Sequence, residues 1–220
     1  MGVAKEIERR LERLVDGLAA RLFHGRIHPV ELGALILRRA EEQIREVTGG
    51  WAIPNRYQVS MGGEPVDSEA LAAVEDELCA FIEETATERG WRLEGPVEVE
   101  VTIDPGQRGS EIQVAASNRR GTRPAWAALH PLDPDAASLE IRVNRAVAGR
   151  STASDLHIPH EEVSRTHAVI WRESGTTWIG DLGSSNGTAV DGSPVEGPTP
   201  LVLGDVISFG GVRYELGVPR

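Results

Sequence analysis

From Ser138 onward the chain loses helical periodicity, and this constrains its fold more than any other feature. The runs "SLEIRVN", "HAVIWRE", "TTWIGDL", "TAVDG", "LVLGDVISFG" and "VRYEL" are short and separated by Gly, Ser, Pro and Asp. A helix needs apolar positions repeating every three to four residues, and these runs lack that repeat. The spacing predicts an all-β sandwich, with functional side chains in loops at one end of a rigid scaffold.

The first half follows a different pattern. Val3, Ile7, Leu11, Leu14, Val15, Leu18 and Leu22 recur at spacings of three and four, predicting an amphipathic helix that stops at Gly25. His28-Pro29 opens a second helix with Leu32, Leu35, Ile36, Ala40, Ile44 and Val47 on its apolar stripe, ended by Gly49-Gly50. Tyr57, Val59 and Met61 alternate as a short strand. Asp67-Ser68 then starts a third helix with Leu71, Val74, Leu78, Phe81, Ile82 and Thr85 inward. Val97, Val99, Val101 and Ile103 alternate with polar residues as a half-buried strand, and "SEIQVAAS" reads as its partner, returning through Asp104-Pro105-Gly106.

The expected organisation is therefore two domains. Residues 1–117 form an α+β domain with helices on a small mixed or antiparallel sheet, and 137–220 form the β-sandwich. Residues 118–136 contain three prolines and no stable period, which reads as a linker whose Trp126 could dock on either domain.

A net charge of −11 argues against a general nucleic-acid binder, which needs a broad basic face to displace counterions from phosphates. A local anion site remains open, because a few positive groups aimed at one phosphate outweigh a diffuse, screened field. The single cysteine, Cys79, cannot form an internal disulfide. With no apolar run of the ~20 residues that span a bilayer and a charged N-terminus unlike a signal peptide, the expectation is a cytoplasmic protein without membrane insertion.

Four loop features of the second half stand in register: Gly149-Arg150 at a strand end, "VSRTHA" at 163–168, "GSSNGT" at 183–188 and "LGDVISFGG" at 203–211. Together they resemble the forkhead-associated (FHA) domain, a β-sandwich that binds phosphothreonine peptides, over roughly residues 137–218. A phosphothreonine presents close to two negative charges and three acceptor oxygens. Guanidinium, hydroxyl and backbone N–H donors match it. The resemblance implies that Arg150 gives its guanidinium to the phosphate, Ser164 its hydroxyl and backbone N–H, and Ser185 a contact from the second loop. Asn186 would hold the peptide main chain. For Arg165, a phosphate contact and a solvated charge both stand. Gly149, Gly187 and Thr188 shape the loops, and His167 braces them.

Blander readings compete. Ser185 and Asn186 also suit a hairpin turn, and Arg150 and Ser164 also suit an ordinary surface loop. Ser164, His167 and Asp181 supply the letters of a hydrolase triad, but a serine and histidine three residues apart would be an unusual arrangement. His157, His160 and His167 lack a supporting zinc-ligand pattern. The expectation is no catalytic residue, no cofactor and no metal. "VDG" at 190–192 departs from the family's Asn-Gly, a turn that aspartate can still make.

The stretch Phe23-x-Gly25-x-Ile27-x-Pro29-x-Glu31, with Pro54-Asn55-x-Tyr57 and Gly90-Trp91, resembles the FhaA-type N-terminal domain of actinobacterial proteins. That resemblance implies an adaptor in serine/threonine-kinase signalling, linked to cell-wall synthesis and growth. Its partners would be phosphothreonine-containing kinase substrates, including membrane-associated ones that recruit it to the membrane. The alternative is a scaffold that binds its partner through the N-terminal domain, its FHA site closed by its own linker phosphorylated at Thr122.

Overall fold

The computed structural model describes residues 29–106, 112–134 and 136–220. The amphipathic helix expected over 3–22 lies outside them. The described residues divide into two compact units: residues 29–45, 53–86 and those described in 93–121 form one, and residues 46–52, 87–92 and those described in 122–220 the other.

In the first unit, helix α1 (Pro29–Glu42) buries Leu32, Ile36, Leu37 and Ala40. It ends earlier than the apolar stripe predicts. Ile44 and Val47 are not helical, and the chain instead runs on into the second unit, where β1 (Arg45–Val47) pairs with β2 (Gly50–Ala52). Gly49 and Gly50, with φ of 83° and 144°, turn this hairpin rather than stop a helix.

Strand β3 (Arg56–Gly62) points Tyr57, Val59 and Met61 into the core, and helix α2 (Ser68–Glu88) lays Val74, Leu78, Phe81, Ile82 and Thr85 inward. Asp67 caps this helix, its carboxylate accepting from the Glu69 and Ala70 N–H groups at 3.1 Å each. Leu71, expected inside, is only half-buried, and Ala70 takes its place.

The expected pairing of β4 (Glu98–Asp104) with β5 (Ile112–Ser117) does not form. The order is β4-β3-β5, with β3 parallel to β4 and antiparallel to β5. The α2 crossover returns the chain parallel to β3, giving the β3–β4 pair, and β5 then takes the other edge of β3 instead of pairing with β4. The sheet is therefore mixed, with β3 at its centre.

Asn55, buried just ahead of β3, closes the open end of this sheet. Its Nδ2 donates to the carbonyls of Pro96 (2.8 Å) and Arg119 (2.9 Å), while its Oδ1 accepts from the Arg119 N–H at 2.9 Å. Two residues on, the buried Tyr57 hydroxyl donates to the Pro54 carbonyl at 2.7 Å. Burial raises the Tyr57 pKa, so the phenol stays protonated.

The second unit is a sandwich of a five-stranded and a six-stranded sheet. The five-stranded sheet runs β14 (Thr199–Leu201), β11 (Thr176–Asp181), β10 (Ala168–Glu173), β8 (Ala146–Gly149), β9 (Leu156–His157). The six-stranded sheet runs β13 (Ser193–Pro194), β12 (Thr188–Val190), β15 (Val206–Phe209), β16 (Val212–Gly217), β6 (Ala127–Pro131), β7 (Leu139–Ile141). Alternate side chains such as Ile170, Ile179, Ile207, Phe209, Tyr214 and Leu216 make the common core.

Strand β6 falls inside the stretch expected to be a linker. Flanking prolines hide it in the sequence, but Ala127, Ala128 and Leu129 are buried and β6 pairs with β16, more than 80 residues away. Trp126 joins this unit, donating from Nε1 to the Val143 carbonyl at 3.2 Å beneath the Arg172 guanidinium. Asp191 (φ 49°) and Gly192 (φ 79°) form the two-residue turn between β12 and β13. The aspartate sustains the left-handed conformation and accepts from the Val206 N–H at 2.9 Å.

Asn55→Ala would remove the amide that satisfies two part-buried carbonyls and one N–H. We expect it to destabilise the first unit by about 2–4 kcal/mol, read as a lower urea midpoint, and Asn55→Asp not to rescue it because a carboxylate cannot donate to carbonyls.

Candidate functional site

The loops that follow β8, β9, β11 and β15 are tied to one another by hydrogen bonds. Gly149, the last residue of β8, lies so close to the Arg165 carbonyl that a Cβ there would collide with it. The backbone continues against the same segment: Arg150 N–H donates to the Ser164 carbonyl at 2.9 Å, and Ser151 N–H to that of Arg165 at 3.2 Å. Ser154 Oγ also donates to the Arg165 carbonyl, at 3.2 Å. Arg150 and Ser164 are thereby fixed side by side.

His167 performs the bracing. It is fully buried, its Nδ1 accepts from the Ser164 N–H at 3.0 Å, and its Nε2 lies 3.0 Å from the Gly187 carbonyl. Accepting at Nδ1 places the ring proton on Nε2, which donates to Gly187. Both ring nitrogens are thus spent on backbone groups. The imidazole is not positioned as a base for the Ser164 hydroxyl, and it is not available to complete a metal site with His157 and His160.

Asp181, at the end of β11, organises the second loop from within. Its carboxylate accepts from the N–H groups of Gly183 and Ser184 at 2.8 Å each, and from the hydroxyls of Ser184 and Thr188 at 2.6 Å each. Burial raises its pKa, but these hydrogen bonds outweigh burial and the net shift is downward. Ser184 and Thr188 therefore face inward, which leaves Ser185 and Asn186 exposed at the tip. Gly187 (φ 75°) turns the chain, and its carbonyl also accepts from the Gly210 N–H at 3.0 Å.

The two loops meet at Ser164. Its Oγ accepts from the Ser185 N–H at 3.0 Å, and no acceptor for its own hydroxyl proton is found among the described residues. Arg150 is exposed and uses Nε on the Val163 carbonyl at 3.2 Å. Among the described residues its Nη groups have no partner. Asn186 Nδ2 donates to the Glu162 carbonyl at 2.8 Å, which fixes the amide plane and leaves Oδ1 outward. Arg165 is exposed beside them.

The structure thus brings Arg150, Ser164, Ser185 and Asn186 to one end of the sandwich. Their open valences are donors, suited to an anion, with one amide oxygen suited to a peptide N–H. Asp181's part as the loop's internal acceptor was not anticipated from sequence. The available signal was an acidic residue followed at short spacing by small hydroxyl residues and glycines, the pattern of an Asx-type turn.

Comparison with known proteins bears on both units. A family model described as FhaA, N-terminal domain, matches residues 5–115, and an FHA domain model matches residues 146–210. FHA domain-containing protein FhaA of Mycobacterium tuberculosis is 31% identical over 134 residues, which is 59% of this chain and 24% of FhaA. This chain thus aligns with only about a quarter of FhaA's length. Glycogen accumulation regulator GarA of the same organism is 33% identical over 111 residues, 50% of this chain and 67% of GarA. Among solved structures, the FhaA FHA domain complexed with the intracellular domain of Rv3910 matches at 29% identity and a TM-score of 0.38, covering 41% of this chain and 98% of that one. With the first model spanning about half of the chain and the second lying over the sandwich, this protein belongs to the FhaA family and carries an FhaA-type N-terminal domain followed by an FHA domain.

Proposed function

We propose that the chain is a non-catalytic adaptor that captures phosphothreonine-containing proteins through the loop end of its FHA sandwich. The observation that carries this reading is the convergence of unspent donors. The Arg150 guanidinium, the Ser164 hydroxyl and the tip around Ser185 face outward together, on loops locked by His167 and Asp181. A phosphate monoester needs such a set of charge-assisted donors. Arg150 takes the phosphate, Ser164 and Ser185 its remaining oxygens, and Asn186 Oδ1 the peptide backbone beside it. Arg165 adds charge at the rim.

The family match supports recognition of phosphorylated proteins, and the name of the relative GarA, a regulator, supports a signalling part rather than a metabolic reaction. The partners we propose are substrates of a serine/threonine kinase, with control of cell-wall synthesis and growth as the setting. No described helix is long and apolar enough to cross a membrane, so recruitment to a membrane would act through such a partner.

The decisive measurement is calorimetric titration of the full chain with a degenerate peptide library in phosphothreonine, phosphoserine and unmodified threonine forms. We expect binding to the phosphothreonine form, weakened roughly ten- to a hundredfold in Arg150→Ala, in line with the value of a hydrogen bond to a charged group. Equal binding of the unmodified library, or none by a folded protein, would overturn the proposal.

Acid sensitivity of the site follows from Asp181. Because its pKa is lowered on folding, it stabilises the folded state fully above its unfolded pKa of about 3.9. That contribution is lost as pH falls through the lower folded value. The stability advantage of the wild type over Asp181→Asn should therefore be constant near neutrality and shrink below about pH 4, as read by urea unfolding across pH.

A further inference from the structure

The loop between β8 and β9 runs from Arg150 to Asp155, and between these two charged ends it is Ser, Thr, Ala and Ser. Such residues bring little packing of their own, so the loop's position must be set at its ends. Backbone hydrogen bonds to Ser164 and Arg165 hold the Arg150 side. The other side is held by a residue far upstream.

Arg92 forms a bidentate ion pair with Asp155, Nη1 to Oδ2 at 2.7 Å and Nη2 to Oδ1 at 2.8 Å. The side chains are 16% and 23% exposed, so water screens the pair less than a surface pair. Asp155 Oδ2 also accepts from the Val147 N–H at 2.9 Å, and Arg92 Nη1 also donates to the Arg145 carbonyl at 3.0 Å. One guanidinium therefore reaches both the residue that leads into β8 and the residue that closes the loop after it.

Arg145 reinforces the start of β8. It holds a left-handed φ of 58° while Nη1 donates to the Gly49 carbonyl at 2.9 Å and Nε to that of Gly90. Its guanidinium lies 5.0 Å from the centroid of the Trp171 ring. Residues 46–52 and 87–92 are thus integral to the sandwich unit, although an FHA domain model begins only at residue 146.

We infer that Arg92 is a positioning residue for phosphothreonine recognition, acting through Asp155 to hold the Arg150 loop in its binding geometry. This rests on the functional reading above and adds a dependence on the 87–92 segment. Whatever displaces that segment weakens the phosphate site without touching it.

The test uses the full chain and a phosphothreonine peptide selected from the library above. Arg92→Ala should weaken binding roughly tenfold, the size of coupling common between residues sharing one network. Arg92→Lys, which keeps the charge but not the two-pronged geometry, should recover part of the loss and serves as the better-folded comparison. In an Arg150→Ala background Arg92→Ala should have little further effect, because the guanidinium it positions is already gone; a merely destabilising change would cost the same in both backgrounds. Wild-type affinity in Arg92→Ala, or an equal loss in both backgrounds, would overturn the inference.

Should the wild type bind no phosphothreonine peptide, the functional reading falls, and amide hydrogen exchange decides the anchor by itself. Faster exchange at Arg150, Ser151 and Ser154 in Arg92→Ala upholds it, and unchanged exchange removes it.

Discussion

The buried ring of His167 connects the parts of this protein that bear on ligand capture. It takes a proton donor from one loop, the Ser164 N–H, and gives one to the other, the Gly187 carbonyl. Its own backbone donates to Ala148 in β8 and accepts from Leu182 after β11. The ring edge stands against Phe209 at 5.7 Å between centroids, which ties this junction to the hydrophobic core. A planar group so constrained sets the separation of the loops within narrow limits. The Ser164 backbone and the Arg150 Nε are therefore fixed in the protein alone, so under the proposed function less ordering cost would remain to offset the gain from contact.

Charge acts locally in such a site. The chain carries a net −11, yet Asp181, the acidic residue at the base of the 183–188 loop, is turned inward and its carboxylate is hydrogen-bonded by four donors. That inward satisfaction keeps its field from opposing an anion. Glu161 and Glu162 remain exposed next to Val163 and Ser164, and Asn186 is fastened to the Glu162 carbonyl. The rim therefore carries both signs, Glu161 and Glu162 beside the exposed Arg165, and under the proposed function these carboxylates would disfavour acidic residues flanking the phosphate.

Much of this was legible in the sequence because it depends on short-range rules. Strand alternation named Tyr57, Val59 and Met61 as inward, and the Asn-Gly and Asp-Gly turns marked the loop tips. The proximity of Arg150, Ser164, Ser185 and Asn186 came from family resemblance, not from periodicity. What escaped was non-local. β6 is bounded by Trp126 and prolines, and only its distant partner β16 makes it a strand. The central place of β3 depends on pairings with both β4 and β5 across the chain, which no local pattern of β4 or β5 encodes. Ile44 and Val47 fit a helical stripe by spacing alone, but Gly49 and Gly50 let the chain form a hairpin that the stripe does not anticipate.

The same contrast explains the division of labour around the Arg150 loop, the proposed phosphate site. Motif residues must be identifiable by type, because a phosphate demands guanidinium and hydroxyl donors wherever the fold occurs. The residues that aim them need only satisfy geometry, so they can come from any part of the chain that passes nearby. Asn55 shows this in the first unit, where one amide reaches Pro96, 41 residues away, and Arg119, 64 residues away. In the second unit, Arg92 and Arg145 tie the small-residue loop of Arg150 to segments that carry no recognition motif. A loop built from Ser, Thr and Ala gains its definition from such outside anchors. The recognisable FHA span is therefore shorter than the physical unit that shapes its binding end.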